Sequence, residues 1–240
     1  MTTRRPGAAA ALVALAGLVW VIAIGAQGKS AMPPGSLVVE DWSEQPTGHV
    51  GIPVGWQGQG WGRPTYDFTI EEAAEAAGSG KSLHLRSDGD NSSVSKKVRK
   101  IDVREYPILE WRWRVVTLPT GGDSRKAATD DQAAQIYVVF PRFPRAVRSR
   151  IIGYVWDSTA PAGSIVPSAS TSMITYVIVR SGSGDVDRWI SERRNVLEDF
   201  RRIHGEPPDE PAEVVTIGID SNDTRSRAES YVGAILFRRP

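Results

Sequence analysis

The sequence contains no cysteine and only three histidines among its 240 residues. Without cysteine, the chain has no disulfide bond, no thiol nucleophile, no zinc–thiolate site and no lipid-modified cysteine for attachment to a membrane. His49, His84 and His204 lie in unlike sequence contexts, so neither a histidine metal centre nor a Ser-His-Asp triad is indicated. We therefore predict no metal ligand set, no cofactor and no assignable catalytic residue.

An excess of either charge is also lacking. The 29 lysines and arginines are balanced by 28 aspartates and glutamates, so no global field attracts nucleic acid or an acidic membrane surface. The glycine-rich segment from Gly55 to Gly62 lacks the spacing and the strand-to-helix context of a nucleotide-binding loop. We expect no nucleic-acid partner and no bound nucleotide.

One long apolar run is present, close to the N-terminus. Residues from Ala8 to Ala26 carry no charge and follow Arg4 and Arg5, which predicts a signal peptide or a transmembrane anchor within residues 1–30. The small residues near Gly25 suit cleavage, whereas Trp20 suits a retained helix. Either outcome places the rest of the chain outside the cytoplasm, in the periplasm or cell envelope. We predict a linker over residues 31–36 and one domain over residues 37–240.

Strand patterns dominate this domain. Between Leu109 and Val115, apolar residues alternate strictly with charged ones, as in a strand with one buried face. A turn from Asp88 to Asn91 separates two short runs and predicts a hairpin. These patterns favour a mainly β fold, a jelly-roll-like antiparallel β-sandwich. The strands are predicted near residues 82–86, 93–98, 109–115, 134–140, 151–156, 174–180, 214–220 and 231–237.

One amphipathic helix is predicted near residues 185–203, because apolar residues there recur at three- and four-residue steps. Gly205 and the prolines that follow would end it. Arg193 would then project into the apolar stripe, where a charge needs a partner. We favour a structural ion pair, or a long stem whose charged end reaches solvent, over a ligand role for this arginine.

Carboxylates and amides gather near the predicted strand ends. Asp220 and Asp223 follow a strand, and their oxygens would suit a structural calcium ion, although an Asx turn is favoured because the loop lacks EF-hand spacing. Paired carboxylates also bind sugar hydroxyls or catalyse glycoside hydrolysis. The candidate ligand-binding residues are Asp130, Asp131, Asp157, Arg180, Glu192, Arg193, Asn195, Asp220 and Asp223.

Sugar binding also requires flat aromatic faces beside planar polar groups. Trp42, Trp56 and Trp61 lie in the glycine-rich opening segment and are candidate stacking platforms. The other tryptophans at positions 111, 113, 156 and 189 are expected to fill the core.

Six blocks of the sequence resemble one bacterial family, domain of unknown function family 3047. The resemblance implies exported proteins with a jelly-roll sandwich similar to galactose-binding-like domains, and it supplies no catalytic residues. It covers roughly residues 37–237. The blocks are Glu110-Trp111-Arg112-Trp113, Thr129-Asp130-Asp131-Gln132-Ala133-Ala134, Ile152-Gly153-Tyr154-Val155-Trp156-Asp157-Ser158, Val179-Arg180-Ser181-Gly182, Glu192-Arg193-Arg194-Asn195-Val196 and Asp220-Ser221-Asn222-Asp223-Thr224.

Three functions remain open on these grounds. The first is an exported cell-envelope protein that binds a carbohydrate, a polysaccharide or another envelope component. The second is a glycan-cleaving enzyme that uses a carboxylate pair among Asp130, Asp131, Asp157, Glu192 and Asp220. The third is a structural envelope protein whose outer strand faces bind another protein, which a contiguous exposed apolar patch and the lack of a polar cleft would favour.

Overall fold

The structure, a computed structural model, describes residues 32–240 and shows a mainly β fold. The predicted signal peptide or anchor, residues 1–30, lies outside the described residues. Thirteen strands, two α-helices and two short 3-10 helices make up the described part. They are β1 (Leu37–Glu40), β2 (Gln57–Gly58), β3 (Asp67–Glu72), a 3-10 helix (Ala74–Ala76), β4 (Lys81–Asp88), β5 (Asn91–Ile101), β6 (Ile108–Thr117), a 3-10 helix (Ala127–Thr129), β7 (Ala134–Phe140), α1 (Arg145–Arg148), β8 (Arg150–Asp157), β9 (Ile165–Pro167), β10 (Ile174–Ser181), β11 (Ile190–Asn195), α2 (Val196–His204), β12 (Ala212–Asp220) and β13 (Arg227–Arg238).

The strands form two sheets. Sheet A has the order β11-β6-β13-β4-β3, and β1 pairs with the end of β13. Sheet B has the order β2-β5-β12-β7-β8-β10-β9. All neighbours are antiparallel except β8 and β10, which are parallel, so the prediction of a purely antiparallel sandwich is wrong at this pair. The connection between them contains β9, which pairs antiparallel with β10. The chain therefore reverses direction once between β8 and β9 and again between β9 and β10, so that β10 runs parallel to β8.

The two sheets pack face to face over an aromatic core. Trp113 of sheet A lies with its ring centroid 6.0 Å from that of Trp156 of sheet B, and Trp111 lies 5.5 Å from Tyr154. All four side chains are buried. The strict alternation from Leu109 to Val115 therefore places its apolar residues inward, as the sequence pattern predicts.

The predicted hairpin around residues 88–91 is wrong. Strand β4 pairs with β3 and β13 in sheet A, whereas β5 pairs with β12 and β2 in sheet B. The turn crosses from one sheet to the other at the end of the sandwich. Leu85 and Val94, on the two sides of the turn, are both fully buried in the shared core. The same alternation of buried and exposed residues suits a hairpin within one sheet and a crossover between two sheets.

The predicted helix over residues 185–203 is correct only in its second half. Residues 190–195 form the edge strand β11, which pairs with β6, and the helix α2 begins at Val196. The apolar residues of the first half satisfy a strand as well as a helix, and pairing with β6 supplies the backbone hydrogen bonds. The predicted end at Gly205 is confirmed, because its left-handed backbone closes the helix with a bond from its N–H to the carbonyl oxygen of Arg201.

Arg193 consequently lies on a strand and not in a helical stripe. Its side chain is exposed, and its Nε lies 3.3 Å from a carboxylate oxygen of Glu110. Arg193 therefore forms an exposed ion pair, which is one of the two structural roles favoured from the sequence. Within residues 32–240, no helix combines the length and the apolar character that crossing a membrane requires.

Candidate ligand-binding cleft

The outer face of sheet B carries a cleft of about 680 Å³. Its floor is formed by β5, β12, β7, β8 and β10, whose alternate side chains point away from the core. Residues 57–61 line one edge, and residues 168–171 line the other. The sheet therefore holds a trough between two edge segments, the first of which begins with β2.

A row of side chains crosses the middle of this floor. The registered pairs place Ser95, Thr216, Tyr137, Gly153 and Tyr176 side by side on successive strands. A Cβ atom on Gly153 would lie 2.7 Å from the Tyr137 ring and 3.0 Å from the Tyr176 ring. Glycine is required here because the two tyrosine rings, with centroids 6.5 Å apart, lie over the backbone of β8.

The next row of the floor is polar and carries an amide. Gly218 of β12 lies between Ser93 and Gln135, and a Cβ at this position would come within 2.3 Å of the Gln135 side-chain oxygen. The missing side chain leaves space for the Gln135 amide above β12. The Nε2 of Gln135 donates to the side-chain oxygen of Gln132 over 2.7 Å, which orients the amide.

Trp61 lies on the edge of the cleft and is 62% exposed. Gln59 holds this segment, because its Nε2 donates to the backbone oxygens of Trp61 and Asn91, both at 3.1 Å. The other two tryptophans of the opening segment are core residues, so their prediction as platforms is wrong. Trp42 and Trp56 are buried and stacked with centroids 5.7 Å apart, and both contact the buried carboxylate of Glu40, Trp42 through its backbone N–H and Trp56 through its indole N–H.

Asp130 lies at the end of the cleft where β7 begins. Its carboxylate accepts hydrogen bonds from Gln132 at 2.7 Å and from the Tyr176 hydroxyl at 3.3 Å. Burial raises the pKa of Asp130 to about 6, although these hydrogen bonds lower it. The carboxyl therefore changes protonation just below neutral pH.

Asp131 lies behind the cleft and holds the loop that carries Asp223. It accepts the backbone N–H groups of Asp223 at 3.1 Å and Thr224 at 2.6 Å. Asp220 contacts both Asn91 and Asp131, and burial together with the neighbouring carboxylate raises its pKa to about 9. Asp220 therefore retains its proton at neutral pH.

The loop after β12 begins with an Asx turn, as favoured from the sequence. The Asn222 backbone N–H donates to a carboxylate oxygen of Asp220 over 3.3 Å. Burial and the Asp131 carboxylate raise the pKa of Asp223. In the part of the chain that the structure describes, no three acidic or histidine side chains are arranged to hold a metal ion.

Asp157 is not part of the cleft. It is fully buried at the end of β8, where it accepts the backbone N–H groups of Ser124, Thr159 and Ala160 at 2.6 to 2.9 Å. These bonds fix two turns. Asp157 therefore stabilises the fold, and the structure does not place it where the predicted ligand-binding role would require.

The remaining four predicted residues lie outside the cleft, three of them on β11 of sheet A and the fourth, Arg180, on β10 of sheet B. Arg180 binds Glu192 over 2.7 Å and Asp185 over 2.8 Å, and Glu192 also accepts the indole N–H of Trp113. Asn195 caps α2 by accepting the backbone N–H of Glu198 at 3.2 Å. These side chains and the paired Arg193 stabilise the fold. Of the predicted residues, the structure brings only Asp130, Asp220 and Asp223 into the cleft, and it places Asp131 behind them.

Most of the polar lining was not identified from the sequence. Its members share outward positions on strands or positions in the two edge segments, where a serine or an amide appears as ordinary surface. The usable signal was the run of polar residues at alternate positions 91, 93 and 95 of a strand whose opposite face carries the fully buried Val94. The unidentified polar and aromatic lining residues are Gln57, Gln59, Asn91, Ser93, Ser95, Gln135, Tyr137, Ser168, Ser170, Thr171, Tyr176, Thr216 and Asn222.

The lining has a distinct charge character. Among the described residues that border the cleft, none is lysine, arginine or histidine, whereas three are aspartates. Hydroxyls, amides and carboxyls therefore supply the polar contacts, and one exposed indole supplies a flat apolar surface. Such a site favours a ligand rich in hydroxyl groups and without strong negative charge.

Comparison with protein families gives one match. The family described as Protein of unknown function (DUF3047) matches residues 55–236, and the chain belongs to this family. The family resemblance predicted from the six sequence blocks is confirmed. None of the curated proteins compared with the chain matches it significantly.

Several solved structures are similar to the chain at low identity. The family 11 carbohydrate-binding module of the cellulosomal cellulase Lic26A-Cel5E of Clostridium thermocellum is 10% identical, with 86% of this chain and 95% of the module covered and a TM-score of 0.45. The CBM22-1 xylan-binding domain of Paenibacillus barcinonensis Xyn10C is 9% identical, with 85% and 96% covered and a TM-score of 0.37. A cellulase derived from Cel12A of Rhodothermus marinus is 12% identical, with 75% and 96% covered and a TM-score of 0.41. All three TM-scores lie below 0.5, so the inference of function depends on the cleft itself.

Proposed function

We propose that this protein binds a carbohydrate or polysaccharide in the cleft on the outer face of sheet B. The observation that carries the proposal is the position of Trp61, an exposed indole at the edge of a trough lined by amides and hydroxyls. A sugar ring offers an apolar face of C–H groups and a rim of hydroxyls. The indole suits the face, and side-chain amides and carboxyls suit the rim.

The orientation of the polar groups supports this assignment. The Gln135 amide is held by Gln132, and the Asp130 carboxylate is held by Gln132 and Tyr176. Side chains fixed by neighbours lose little conformational entropy on binding, so they discriminate between hydroxyl positions. The acidic lining disfavours uronic acids and phosphorylated sugars, because a like charge in the cleft would be repelled.

Export to the cell envelope is part of the proposal. It is supported by the uncharged run from Ala8 to Ala26 after two arginines. A hydroxyl-binding domain outside the cytoplasm would meet polysaccharides of the envelope or the surroundings. The presence of a polar cleft favours ligand binding over a purely structural envelope role.

The test is a binding panel with the purified domain, residues 32–240. Affinity electrophoresis and calorimetry would compare neutral polysaccharides with acidic ones such as polygalacturonate. We expect retention by at least one neutral polysaccharide and loss of about tenfold or more in affinity for Trp61→Ala. Phe143→Ala is the matched control, because Phe143 is an exposed aromatic residue outside the cleft. Binding only to acidic polymers, or equal binding by Trp61→Ala, would contradict the proposal.

Glycan cleavage is a second candidate, favoured by one observation. Asp130 is a carboxyl with a pKa of about 6 that faces an open cleft, as a general acid requires, and Asp223 lies in the same cleft. Asp157 and Glu192 are excluded as partners because each is occupied outside the cleft.

Incubation with the neutral polysaccharides that bind would distinguish the two functions. Release of reducing ends that Asp130→Asn abolishes, at polysaccharide concentrations that saturate both proteins, would support cleavage. Binding with no increase in reducing ends over the Asp130→Asn background would leave binding as the function.

A further inference from the structure

The cleft floor is graded from polar to apolar along the strands. Asp220 and Asn91 form its polar end, and the tyrosine row crosses its middle. Beyond the tyrosines, four aliphatic side chains lie side by side on four successive strands, all half-buried and all facing the cleft. The registered pairs that define this aliphatic row are Val214 with Val139, Val139 with Ile151, and Ile151 with Ile174.

The position of this row on an outer sheet face needs an explanation. The inner faces of β7, β8 and β12 already fill the core with residues such as Ile152 and Val215. Outward positions of a solvated antiparallel sheet are ordinarily polar, as Ser93 and Ser95 are at the other end of the same face. Four adjacent aliphatic side chains at the outward positions therefore form a continuous apolar surface in the open cleft.

The polar and apolar parts are within reach of one ligand. Asp220 lies six positions after Val214 on β12, which corresponds to about 20 Å along the strand. The Trp61 edge lies at the polar end, because Gln59 is bonded to Ser93 and to the backbone of Asn91. From a sugar placed beside Trp61, the tyrosine row and then the aliphatic row would follow along the strands.

We propose that the ligand is amphiphilic, with a hydroxyl-rich sugar head beside Trp61 and an alkyl or acyl chain over the aliphatic row. The inference rests on the proposed carbohydrate function and narrows its ligand class to glycolipid-like molecules. Because the aliphatic row is continuous with the sugar end of the same cleft, we assign the alkyl or acyl chain to the same ligand as the sugar.

The test uses alkyl β-glucosides and alkyl β-maltosides with methyl, butyl, hexyl and octyl chains, all below their critical micelle concentrations. Octanol without a sugar is the third arm, and calorimetry on the purified domain measures affinity. We expect affinity to rise about two- to fourfold per added methylene group, because each methylene leaves water for a half-buried apolar surface.

Three variants separate the parts of the site. Val139→Thr and Ile151→Thr keep the side chains branched and small, and we expect either to flatten the dependence on chain length while methyl glycosides bind as before. Trp61→Ala should weaken the binding of every alkyl glycoside by a similar factor and leave the dependence of affinity on chain length unchanged. Val38→Thr, on an exposed strand position of sheet A, is the matched control.

The outcomes distinguish the two proposals. Affinity that does not change with chain length, with methyl glycosides still dependent on Trp61, overturns the amphiphile and leaves sugar binding intact. Octanol binding as tightly as octyl glycosides, with no effect of Trp61→Ala, contradicts sugar binding and the amphiphile together. Absence of binding across both alkyl series, beside a neutral polysaccharide that does bind, also overturns the amphiphile.

Discussion

The hydroxyl of Ser93 donates a hydrogen bond to the side-chain oxygen of Gln59 over 2.8 Å. This contact joins the floor of the cleft to the edge segment that carries Trp61. The same glutamine donates from Nε2 to the backbone oxygens of Trp61 and Asn91. One side chain thus fixes the aromatic platform relative to the polar end of the sheet.

Gln59→Ala is predicted to weaken carbohydrate binding about tenfold by releasing the Trp61 segment. Calorimetry measures the affinity, and hydrogen exchange of residues 57–61 measures the loosening, which should increase. Asn195→Ala is the control, because it removes the cap of α2 far from the cleft. It should cost about 1 kcal/mol of stability and leave affinity unchanged. Equal affinities of Gln59→Ala and the wild type would show that Trp61 needs no such support.

Strand positions could be predicted from this sequence because buried faces impose a period of two residues. The segment from Leu109 to Val115 is the strongest case, since four inward apolar residues alternate with charged ones. The partner of each strand could not be predicted in the same way. The turn near Gly89 suits a hairpin and a crossover equally, and only packing around the shared core decides between them.

Asp220→Asn is predicted to stabilise the domain at pH 8 and to reduce the pH dependence of its stability. A carboxyl whose pKa rises on folding stabilises the fold at low pH, and this stabilisation is lost as pH rises through the folded pKa. For Asp220 that range extends from about pH 4 to about 9. Asparagine keeps a donor toward Asp131 and removes the charge.

Thermal unfolding between pH 4 and pH 9 measures this effect. The wild type should lose stability as pH rises, and the variant should be about 2 kcal/mol more stable at pH 8. Asp88→Asn, an exposed aspartate paired with Arg227, is a matched control that should leave the profile unchanged. Parallel profiles for the wild type and Asp220→Asn would contradict the assigned protonation.

Glu192→Ala and Arg193→Ala are predicted to differ sharply although the residues are adjacent. Glu192 is buried and satisfies the Trp113 indole N–H and Arg180, so its removal should cost about 2 kcal/mol in the free energy of unfolding. Arg193 forms an exposed pair, and its removal should cost less than about 0.5 kcal/mol. Urea unfolding measures both values. Similar losses, or a loss of ligand binding in either variant, would contradict their assignment to architecture.

The candidate site was only partly predictable for a related physical reason. Asp130, Asp220 and Asp223 were found because acidic residues at strand ends suggest a site. Gln135 and Thr216 were missed because single polar residues on outward strand positions are also what an ordinary solvated face contains. Their convergence depends on the strand order β5-β12-β7, which no local pattern specifies.

The most direct measurement of the central claim is a nuclear magnetic resonance titration of the labelled domain with a neutral oligosaccharide that it retains. Binding in the cleft predicts shifts of the Trp61 indole N–H and of the side-chain amides of Gln59, Asn91 and Gln135. The Trp189 indole, which lies against Tyr231 of sheet A, should not move. Shifts confined to Trp189 and the outer face of sheet A, with Trp61 unchanged, would contradict carbohydrate binding in this cleft.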